Sequence, residues 1–565
     1  NTQNTDVSGD VQAGYRSNNS AKTLSAVTNI AKDNIAVLLY GNSQTGDSME
    51  SGDGVVIDPT DFDKVQFGGD IRYAKDANEI GLSYHYTDTG DSGTPALPMD
   101  IEYIESSRIT IDGAFRLNDW QGEWQVGYID ADHGMTNFLM RENNNMMKYR
   151  RNNATAETSD FKFQLSKEFD FGELTFGVDG YFATHDSVIT NPNNGMFEVV
   201  NFNTVEDNRY GIFTQWQQQF DQTTVQLGVR LKRADANAGE VSSSMAMMDM
   251  DSGMDMDSGM DMDSGMDMPS MGSLARSLQD DFNQADRKVS DNNVDIALNT
   301  QTKLSDNLSL SAGLGLKNRA PSYQERYLWT PMEATGGLAD GHTYIGDINL
   351  KSETAYQADL GLTYQDDNLM IAPHIFYQSI DDYIQGTPIG MSDMAAKQMA
   401  TMMAGDTNPL KFSNVDAKLY GFDLNSYYNI TDEIQIFTII NYVEGERRDI
   451  DDHLYRVAPL NGQVQLSYTA DNWMVKTSLV MAAKQNKVSE TNTEQKTAGY
   501  GVLNIDAQYH FNNDLALRFG IDNLLDKNYQ NHLGGYNRVN GTDIPQMSRL
   551  PREGMSAWAE ATYSF

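Results

Sequence analysis

Alternation of apolar and polar residues runs along nearly the whole chain and restricts the fold more than any other feature. Such a period of two gives a β-strand one apolar face and one polar face. Between residues 503 and 511 the apolar positions are Leu503, Ile505, Ala507, Tyr509 and Phe511. The pattern recurs at residues 161–166, 174–178, 358–364, 369–371 and 515–522. Short polar links, such as residues 365–368 and 512–514, separate neighbouring repeats. The sequence therefore predicts an all-β chain.

The order of strands and loops favours a transmembrane β-barrel over a soluble β-sandwich. Short polar turns alternate with long segments, aromatic residues cluster near predicted strand ends, and the last predicted strand closes on Phe565. These are features of outer-membrane barrels. The sequence holds no apolar run near the roughly 18 residues of a membrane helix. A mean hydropathy of −0.54 also argues against a helical membrane protein, but it fits a barrel whose polar and apolar residues alternate.

Chain length predicts the size of the barrel. Outer-membrane transporters have 22 strands, and 565 residues divided among about 22 strands leave about 26 residues for each strand and its share of loop. A barrel of about 8 to 12 strands would leave far too much chain. We therefore predict a transmembrane antiparallel β-barrel of about 22 strands with long extracellular loops, spanning residues 1–565 and starting with a strand at Asp6 to Tyr15.

Charge and motif content exclude several classes of function. The formal net charge of −39 disfavours nucleic acid as a partner and favours attraction of cations. The sequence contains no Cys, so it has neither a disulfide nor a thiolate ligand of its own. It also lacks a phosphate-binding loop, a dinucleotide fingerprint, a zinc-protease motif and a nucleophile elbow. We therefore expect that the protein is not an enzyme.

Two segments carry a resemblance to a known family. Residues 318–353 read NRAPSYQERYLWTPMEATGGLADGHTYIGDINLKSE, and residues 521–538 read IDNLLDKNYQNHLGGYNR. The first resembles the signature barrel segment of the TonB-dependent copper receptors, and the second is similar to the penultimate-strand motif of the whole TonB-dependent superfamily. The resemblance extends over essentially all 565 residues. It implies a copper-uptake receptor in the outer membrane of a Gram-negative bacterium, with copper as the transported ligand and no catalytic cofactor.

The same resemblance implies partners. Receptors of this family carry an N-terminal plug domain inside the barrel, preceded by a segment that engages TonB, and neither is recognisable in this sequence. We therefore expect the plug to be missing from this chain, either removed or present as a separate piece. The expected partners are that plug, the TonB complex acting through it, and the lipid or lipopolysaccharide of the outer membrane.

The first candidate metal site is the segment Asp132-His133-Gly134-Met135, which follows a predicted strand containing Val126 and Tyr128. An imidazole and a thioether two residues apart suit copper better than Mg²⁺ or Ca²⁺. On spacing alone the signal is weak, because a lone His near a loop is usually an ordinary polar residue. The resemblance strengthens it, since it implies an H-x-M pair from the barrel joined by a C-x-x-x-M pair from the plug. His133 and Met135 are then the barrel half of a copper site.

The second candidate is a low-complexity loop at residues 242–272, in which DMDSGM occurs three times between residues 249 and 266. Thioethers select Cu(I), and carboxylates attract cations generally. The loop is interpreted either as a flexible copper-gathering segment outside the cell or as a solvated loop that tolerates repeat expansion. Its methionines are Met245, Met247, Met248, Met250, Met254, Met256, Met260, Met262, Met266, Met268 and Met271.

A third methionine-rich loop covers residues 391–403. The spacing of its methionines fits two interpretations. In one they capture metal; in the other they lie on a short amphipathic helix that packs on a neighbouring loop. Met140, Met146 and Met147, which follow the His133 segment, could line the same mouth.

Three alternatives to copper uptake stay open at this point. The first is a TonB-dependent receptor for a siderophore or another metal chelate, although such sites favour aromatic residues and Arg, whereas this chain is rich in Met. The second is a plugless passive pore or surface-binding protein. The third, an outer-membrane hydrolase, is disfavoured by the strand count and by the lack of catalytic motifs.

Overall fold

A computed structural model of the chain describes residues 5–247, 269–332, 334 and 338–565. Twenty-two strands form a closed antiparallel β-barrel, as predicted. The barrel closes where the first strand pairs with the last, in a register that runs from Asp10 opposite Ser564 to Arg16 opposite Trp558. Among the described residues, no helix has both the length and the apolar character needed to span a membrane.

The elements are numbered in chain order. In the first half the strands are β1 (Asp6–Arg16), β2 (Ala21–Lys32), β3 (Ile35–Gly46), β4 (Met49–Glu50), β5 (Val56–Ile57), β6 (Phe62–Lys75), β7 (Asn78–Thr89), β8 (Asp100–Leu117), β9 (Trp120–Thr136), β10 (Arg151–Phe169), β11 (Gly172–Thr190), β12 (Glu198–Phe220) and β13 (Thr223–Asn237). In the second half they are β14 (Ser242–Ser243), β15 (Val289–Ser305), β16 (Leu308–Arg319), β17 (Tyr344–Ile345), β18 (Glu353–Gln365), β19 (Leu369–Pro388), β20 (Leu410–Asn429), β21 (Ile434–Arg447), β22 (Asn461–Ala470), β23 (Trp473–Ala482), β24 (Tyr500–His510), β25 (Leu515–Asp522) and β26 (Ser556–Ser564). The helices are α1 (Met271–Gln284), α2 (Tyr323–Tyr327) and α3 (Met394–Ala404).

The connections differ between the two ends of the barrel. Tight turns such as Asp33-Asn34, Asp76-Ala77 and Asn118-Asp119 join strands at one end, here named the short-turn end. Long segments join them at the other, the long-loop end, and β4, β5, β14, β17 and the three helices all lie in these long segments. The predicted alternation of short turns and long loops is therefore confirmed.

Exposed apolar side chains form a belt around the outside of the barrel. Leu24, Ile71 and Ile212 expose more than half of their surface, although each lies within a barrel strand. In a water-soluble fold such residues would be buried. Alternation thus directs the apolar face outward and leaves the polar face to line the interior, which is the arrangement of a membrane barrel.

The strand that contains the first candidate site is longer than the sequence predicts. Strand β9 continues through His133 to Thr136 and pairs with both β8 and β10 along the way. The outward positions change from Val126 and Tyr128 to Asp130 and Asp132, whereas the inward positions include the apolar Ile129 and Ala131. The alternation therefore continues with its sides exchanged, since the apolar residues now face the interior while the hydrogen-bonded ladder runs on.

At the long-loop end, the connections pack into a hydrophobic cluster, here named the loop core. Its largest fully buried side chains include Tyr327, Ile189 and Met332. The buried members are Ile189, Phe197, Val199, Phe202, Val205, Ala238, Val241, Met245, Ala246, Leu274, Ala275, Phe282, Tyr327, Leu328, Trp329, Met332, Tyr344, Met399 and Leu410. Residues from strands, helices and loops far apart in sequence therefore form one folded unit at this end.

Helix α1 is held to the loop core by one apolar stripe. Leu274, Leu278 and Phe282 recur every four residues, which places them on one side of a helix, and all three pack against the cluster. The Ser270 side chain caps the helix by accepting a hydrogen bond from the backbone N–H of Ser273. Leu278 also packs against a small cluster that contains Ala396, so α1 and α3 are neighbours.

Candidate metal-binding site at the long-loop end

His133 and Met135 lie on the interior side of β9. Val126 and Tyr128, of the opposite parity, are 53% and 43% exposed on the outside of the barrel. The pairing of β9 with β10 is continuous from Trp120 to Thr136, so the alternation of sides is preserved over the whole strand. The two candidate ligands therefore project from one face of the strand, two residues apart, whereas the sequence located them after the strand and predicted only that both could reach one ion.

The imidazole of His133 has an unusual environment. Its Nε2 atom is buried, and no hydrogen-bond partner for it is found among the described residues. The residues directly opposite on the neighbouring strands are Ile104 and Ala154, neither of which offers a polar side chain. Leaving a buried polar atom without a partner costs free energy, so such an atom calls for an explanation. A ligand that accepts the Nε2 lone pair would supply one.

The barrel provides only part of a coordination shell. Within the described residues, no three His, Cys, Asp or Glu side chains converge in a way that could hold a metal ion. Opposite Met135 lie Ile101 on β8 and Asn152 on β10. One imidazole and one thioether are a two-ligand half-site, so tight binding requires further ligands from elsewhere.

A buried ion pair joins the loops next to this half-site. Arg141, in the loop after β9, contacts Asp100, the first residue of β8, with an Nη2–Oδ1 distance of 2.5 Å and an Nε–Oδ2 distance of 2.7 Å. The side chains are only 5% and 0% exposed. Arg141 also donates to the carbonyls of Leu97 and Thr94. The pair therefore fastens the loop between β7 and β8 to the loop that follows Met135.

Three of the eleven methionines in the loop at residues 242–272 lie among the described residues. Met245 is 3% exposed in the loop core, Met271 packs against that core at the start of α1, and Met247 is 67% exposed. Thus Met247 is open to solvent, whereas Met245 could reach a metal only if the loop core opened. The other eight lie outside the described residues; they are Met248, Met250, Met254, Met256, Met260, Met262, Met266 and Met268.

The methionine-rich segment at residues 391–403 forms a short 3-10 turn followed by α3. Met399 is completely buried in the loop core, whereas Met391 and Met402 are 84% and 47% exposed. The interpretation as a short helix that packs on neighbouring loops therefore applies to Met399. Met146 and Met147, in the loop after the His133 strand, are both more than 60% exposed.

The signature segment at residues 318–353 anchors the loop core. Arg319 forms ion pairs with Glu325 at 2.9 Å and with Glu353 at 2.6 Å. Ser322 and Glu325 cap α2 reciprocally, which explains a helix of only five residues. Tyr327, at the end of α2, is fully buried. These motif residues thus have a structural role that the resemblance alone does not reveal.

With this geometry described, the chain can be compared with known proteins. Residues 12–524 match the family model described as TonB dependent receptor-like, beta-barrel. The chain belongs to this family. Its β-barrel fold is characteristic of Gram-negative outer membranes, and the family and its neighbours are receptors and transporters rather than enzymes.

Curated relatives of this chain match over part of their length. The vitamin B12 transporter BtuB of Photobacterium profundum is 26% identical over 236 residues, which cover 41% of this chain and 34% of the relative. Heme/hemopexin utilization protein C of Haemophilus influenzae is 24% identical over 300 residues, covering 49% of this chain and 38% of the relative. The matched region thus spans little more than a third of these relatives.

Solved structures share the receptor fold over the whole chain. The copper transporter OprC superposes with a TM-score of 0.81 at 19% identity, covering 100% of this chain and 83% of that one. The FrpB iron transporter from Neisseria meningitidis (F3-3 variant) gives a TM-score of 0.67 at 14% identity, covering 99% and 81%. These likenesses establish the fold.

A second group of polar side chains joins the loops of the receptor around Asp340. The hydroxyls of Tyr344 and Tyr455 both donate to this buried carboxylate. His342 lies nearby, with its Nδ1 atom 3.7 Å from Oδ2 of Asp406 in the loop after α3. Thr343 donates to the same oxygen of Asp406 through its backbone N–H at 2.7 Å. Three long loops therefore meet at these carboxylates.

The loop carboxylates shift the pKa of His342. Burial alone would lower the pKa of this imidazole, and Arg538 acts in the same direction, but Asp406 and Asp340 outweigh both and raise it. Burial would likewise raise the pKa of Asp406, but His342 and the N–H groups of Thr343 and Asn408 lower it. The contact between His342 and Asp406 is thus strongest when the imidazole is protonated and the carboxylate is ionised.

Linkage gives the contact between His342 and Asp406 a defined pH dependence. A raised His342 pKa stabilises the folded loops fully below the unfolded value of about 6.5, and this contribution is lost as pH rises through the folded pKa. A lowered Asp406 pKa contributes above about 3.9 and is lost in stronger acid. After correction for the pH dependence of intrinsic amide exchange, we expect residues 389–409 to be better protected from hydrogen exchange at about pH 5.5 than at about pH 8. His342→Gln should remove most of this difference, whereas His510→Gln at the short-turn end should leave it unchanged; an unaltered difference in His342→Gln would contradict the assignment.

Two features of this end could not be identified from the sequence. Arg141 and Asp100 are separated by 41 residues, and no local pattern links them. Asp340 and His342 lie inside the signature segment, so the motif marked their neighbourhood but not their contact with Asp406.

Proposed function

We propose that the chain forms the barrel of an outer-membrane receptor that binds copper ions at the cell surface and imports them to the periplasm with energy derived from TonB. On this proposal the long-loop end is extracellular and the short-turn end periplasmic, the usual orientation of outer-membrane barrels. The observation that carries the proposal is the buried Nε2 atom of His133, which has no hydrogen-bond partner among the described residues and lies two residues from Met135 on the interior wall.

The donor set explains why copper is the favoured ion. A neutral imidazole offers a borderline nitrogen and a thioether a soft sulfur, a combination suited to copper, whereas Mg²⁺ and Ca²⁺ prefer oxygen. Two ligands do not complete a site. The resemblance implies that a plug contributes a C-x-x-x-M pair, which agrees with a chain that has no Cys of its own. The energised step would act through that plug.

Exposed methionines at the long-loop end support a collecting role. Met147, Met196, Met247 and Met391 are each more than 60% exposed and lie in different loops. Exposed thioethers bind Cu(I) weakly, and the net charge of −39 draws cations toward the surface. Copper would be gathered at these loops before it reaches His133 and Met135. We propose the same collecting role for the methionines at residues 248–268.

The test is metal analysis of the complete, plug-bearing receptor loaded with copper and, separately, with zinc. We expect His133→Ala and Met135→Leu each to weaken copper retention by at least about tenfold, and the double variant to retain none. His453→Ala is a matched control, because its Nδ1 is also buried without a hydrogen-bond partner among the described residues. Met555→Leu is the control for an exposed thioether. Both controls should retain copper like the unaltered receptor.

The outcome separates copper uptake from chelate uptake. Unchanged copper in the double variant would show that His133 and Met135 are not ligands. Failure of the intact receptor to bind copper, together with tight binding of a ferric siderophore, would instead favour a chelate receptor, as the iron transporters and ferric enterobactin receptors among its structural neighbours suggest. Large ion conductance by the chain alone in a lipid bilayer would support a passive pore.

A further inference from the structure

The outward side chains of β21 change character near the long-loop end. Alternate residues from Ile434 to Ile440 face the exterior beside the exposed Leu466 and Tyr468 of β22. The next outward-facing residues along β21 are Tyr442, Glu444 and Glu446. Tyr442 lies opposite Phe422, which is 41% exposed on the outside. Since aromatic residues mark the boundary between lipid tails and headgroups, Tyr442 places this boundary.

A groove of about 250 Å³ opens beside Tyr442 at this level. One side is apolar and is formed by Pro459 and Leu460, of which Leu460 is 40% exposed. The other side carries Lys484 and Lys487. The groove lies at the headgroup boundary and combines an apolar side with two ammonium groups. These match the hydrocarbon chain and the negatively charged headgroup of an anionic lipid.

The lysines of this groove retain capacity for a further partner. The ammonium of Lys487 donates to the Tyr442 hydroxyl at 3.2 Å and to the Glu444 carboxylate at 2.5 Å. A lysine ammonium has three donors, so one is left. Lys484 is exposed, and it forms no ion pair with any of the described residues. Lys487 balances Glu444, and Lys418 balances Glu446, so Lys484 leaves a local positive charge.

Another part of the exterior, likewise beyond outward-facing tyrosines, has the opposite charge. Asp88, Glu105 and Asp132 lie directly opposite one another on β7, β8 and β9, beyond the exposed Tyr84 and Tyr128. None of the three pairs with a Lys or Arg among the described residues. An anionic headgroup is therefore repelled there and attracted to the lysine groove.

We propose that this groove binds a phosphate-bearing lipid of the outer leaflet. Lys484 and Lys487 hold the phosphate, and the hydrocarbon lies along Pro459 and Leu460. The site is on the outside of the barrel; it rests on the proposed orientation, in which the long-loop end is extracellular, but not on copper as the ligand. Phosphate neutralises the excess charge of Lys484 and uses the free donor of Lys487, while the apolar side continues the lipid-contacting belt.

The test measures lipid binding by the full receptor in detergent, with native mass spectrometry as the readout. The probes are bisphosphorylated lipid A, the same lipid with its phosphates removed, and inorganic phosphate as a competitor. We expect Lys484→Gln with Lys487→Gln to bind the phosphorylated lipid at least about tenfold more weakly, since each lysine near an anionic surface contributes appreciably. Lys484→Gln alone, which breaks no ion pair, should show a smaller loss.

Lys167→Gln is the matched control. Its ammonium also lies over aromatic rings, 5.7 Å from Trp120 and 5.4 Å from Phe169, but near the short-turn end. It should bind the lipid normally. Equal binding by the double variant, or equal binding of the dephosphorylated lipid, would overturn the proposal. Displacement of the lipid by millimolar inorganic phosphate would show that the groove takes free phosphate and would overturn the assignment to a lipid.

Discussion

Replacing Arg141 by Met is expected to destabilise the loops beside the candidate metal site by about 3–5 kcal/mol. The reason is the position of its partner, since the Asp100 side chain is completely buried. Removing the guanidinium leaves a charged carboxylate without a counterion in a site of low polarity. The carbonyls of Leu97 and Thr94 also lose a donor. The loss should be seen as faster hydrogen exchange in residues 90–99 and 137–150, with the barrel strands unaffected.

Two further variants separate a buried charge from an ordinary contact. Arg151 pairs with Glu102 at 2.5 Å nearby, but its side chain is 37% exposed, so Arg151→Met should cost at most about 1 kcal/mol. The double variant Asp100→Asn with Arg141→Met removes the unpaired charge and should recover part of the loss. If hydrogen exchange in these loops is no faster in Arg141→Met than in Arg151→Met, the Arg141–Asp100 pair does not hold the two loops together. Copper retention measured on the same variants would show whether the Arg141–Asp100 pair also positions His133 and Met135.

Replacing Tyr327 by Ala is expected to cost a similar amount, about 3–5 kcal/mol, because it opens a cavity in the loop core. Tyr327 is fully buried, and its ring meets Phe282 of α1 edge to face at 6.4 Å. Its hydroxyl donates to the carbonyl of Arg287 at 2.8 Å. The variant should therefore release α1 and the segment before β15 together, which hydrogen exchange of residues 271–288 would record.

Tyr327→Phe isolates the hydroxyl. It keeps the ring packing and should cost only about 1 kcal/mol, the usual net contribution of one hydrogen bond. Tyr356→Ala serves as the control for loss of an aromatic ring, because Tyr356 is 53% exposed on the barrel exterior. If Tyr327→Ala leaves exchange in α1 unchanged, the long loops do not share one core.

These two predictions bear on how the long-loop end works. The Arg141–Asp100 pair fastens the loops that flank the strand of His133, and the loop core joins other long connections at the same end. A receptor that captures an ion in an incomplete half-site gains from loops that are held in place, because ordering them on binding would cost conformational entropy. The lysine groove adds a contact to the surrounding leaflet. Each element can be tested without altering the proposed ligands.

The sequence by itself determined the barrel, because alternation is a local property. A period of two, short polar turns and a terminal aromatic strand are readable within about ten residues, and the structure confirmed strands at Asp6–Arg16, Tyr500–His510 and Ser556–Ser564. The spacing of His133 and Met135 predicted that both side chains can reach one ion, but the sequence located them after their strand rather than on it. Beyond Tyr128 the apolar positions change from the outward to the inward face, so the strand extends further than its outward apolar residues indicate.

Only the tertiary structure decided what joins the long loops. The contact between Arg141 and Asp100, the contact of His342 with Asp406, and the burial of Met399 and Tyr327 in one loop core all bring together residues that are distant in sequence. The same holds for the lysines that lie beside Tyr442, although they follow it far along the chain. Such contacts depend on which loops the closed barrel places side by side, and that order follows from the registers of many strand pairs rather than from any single segment.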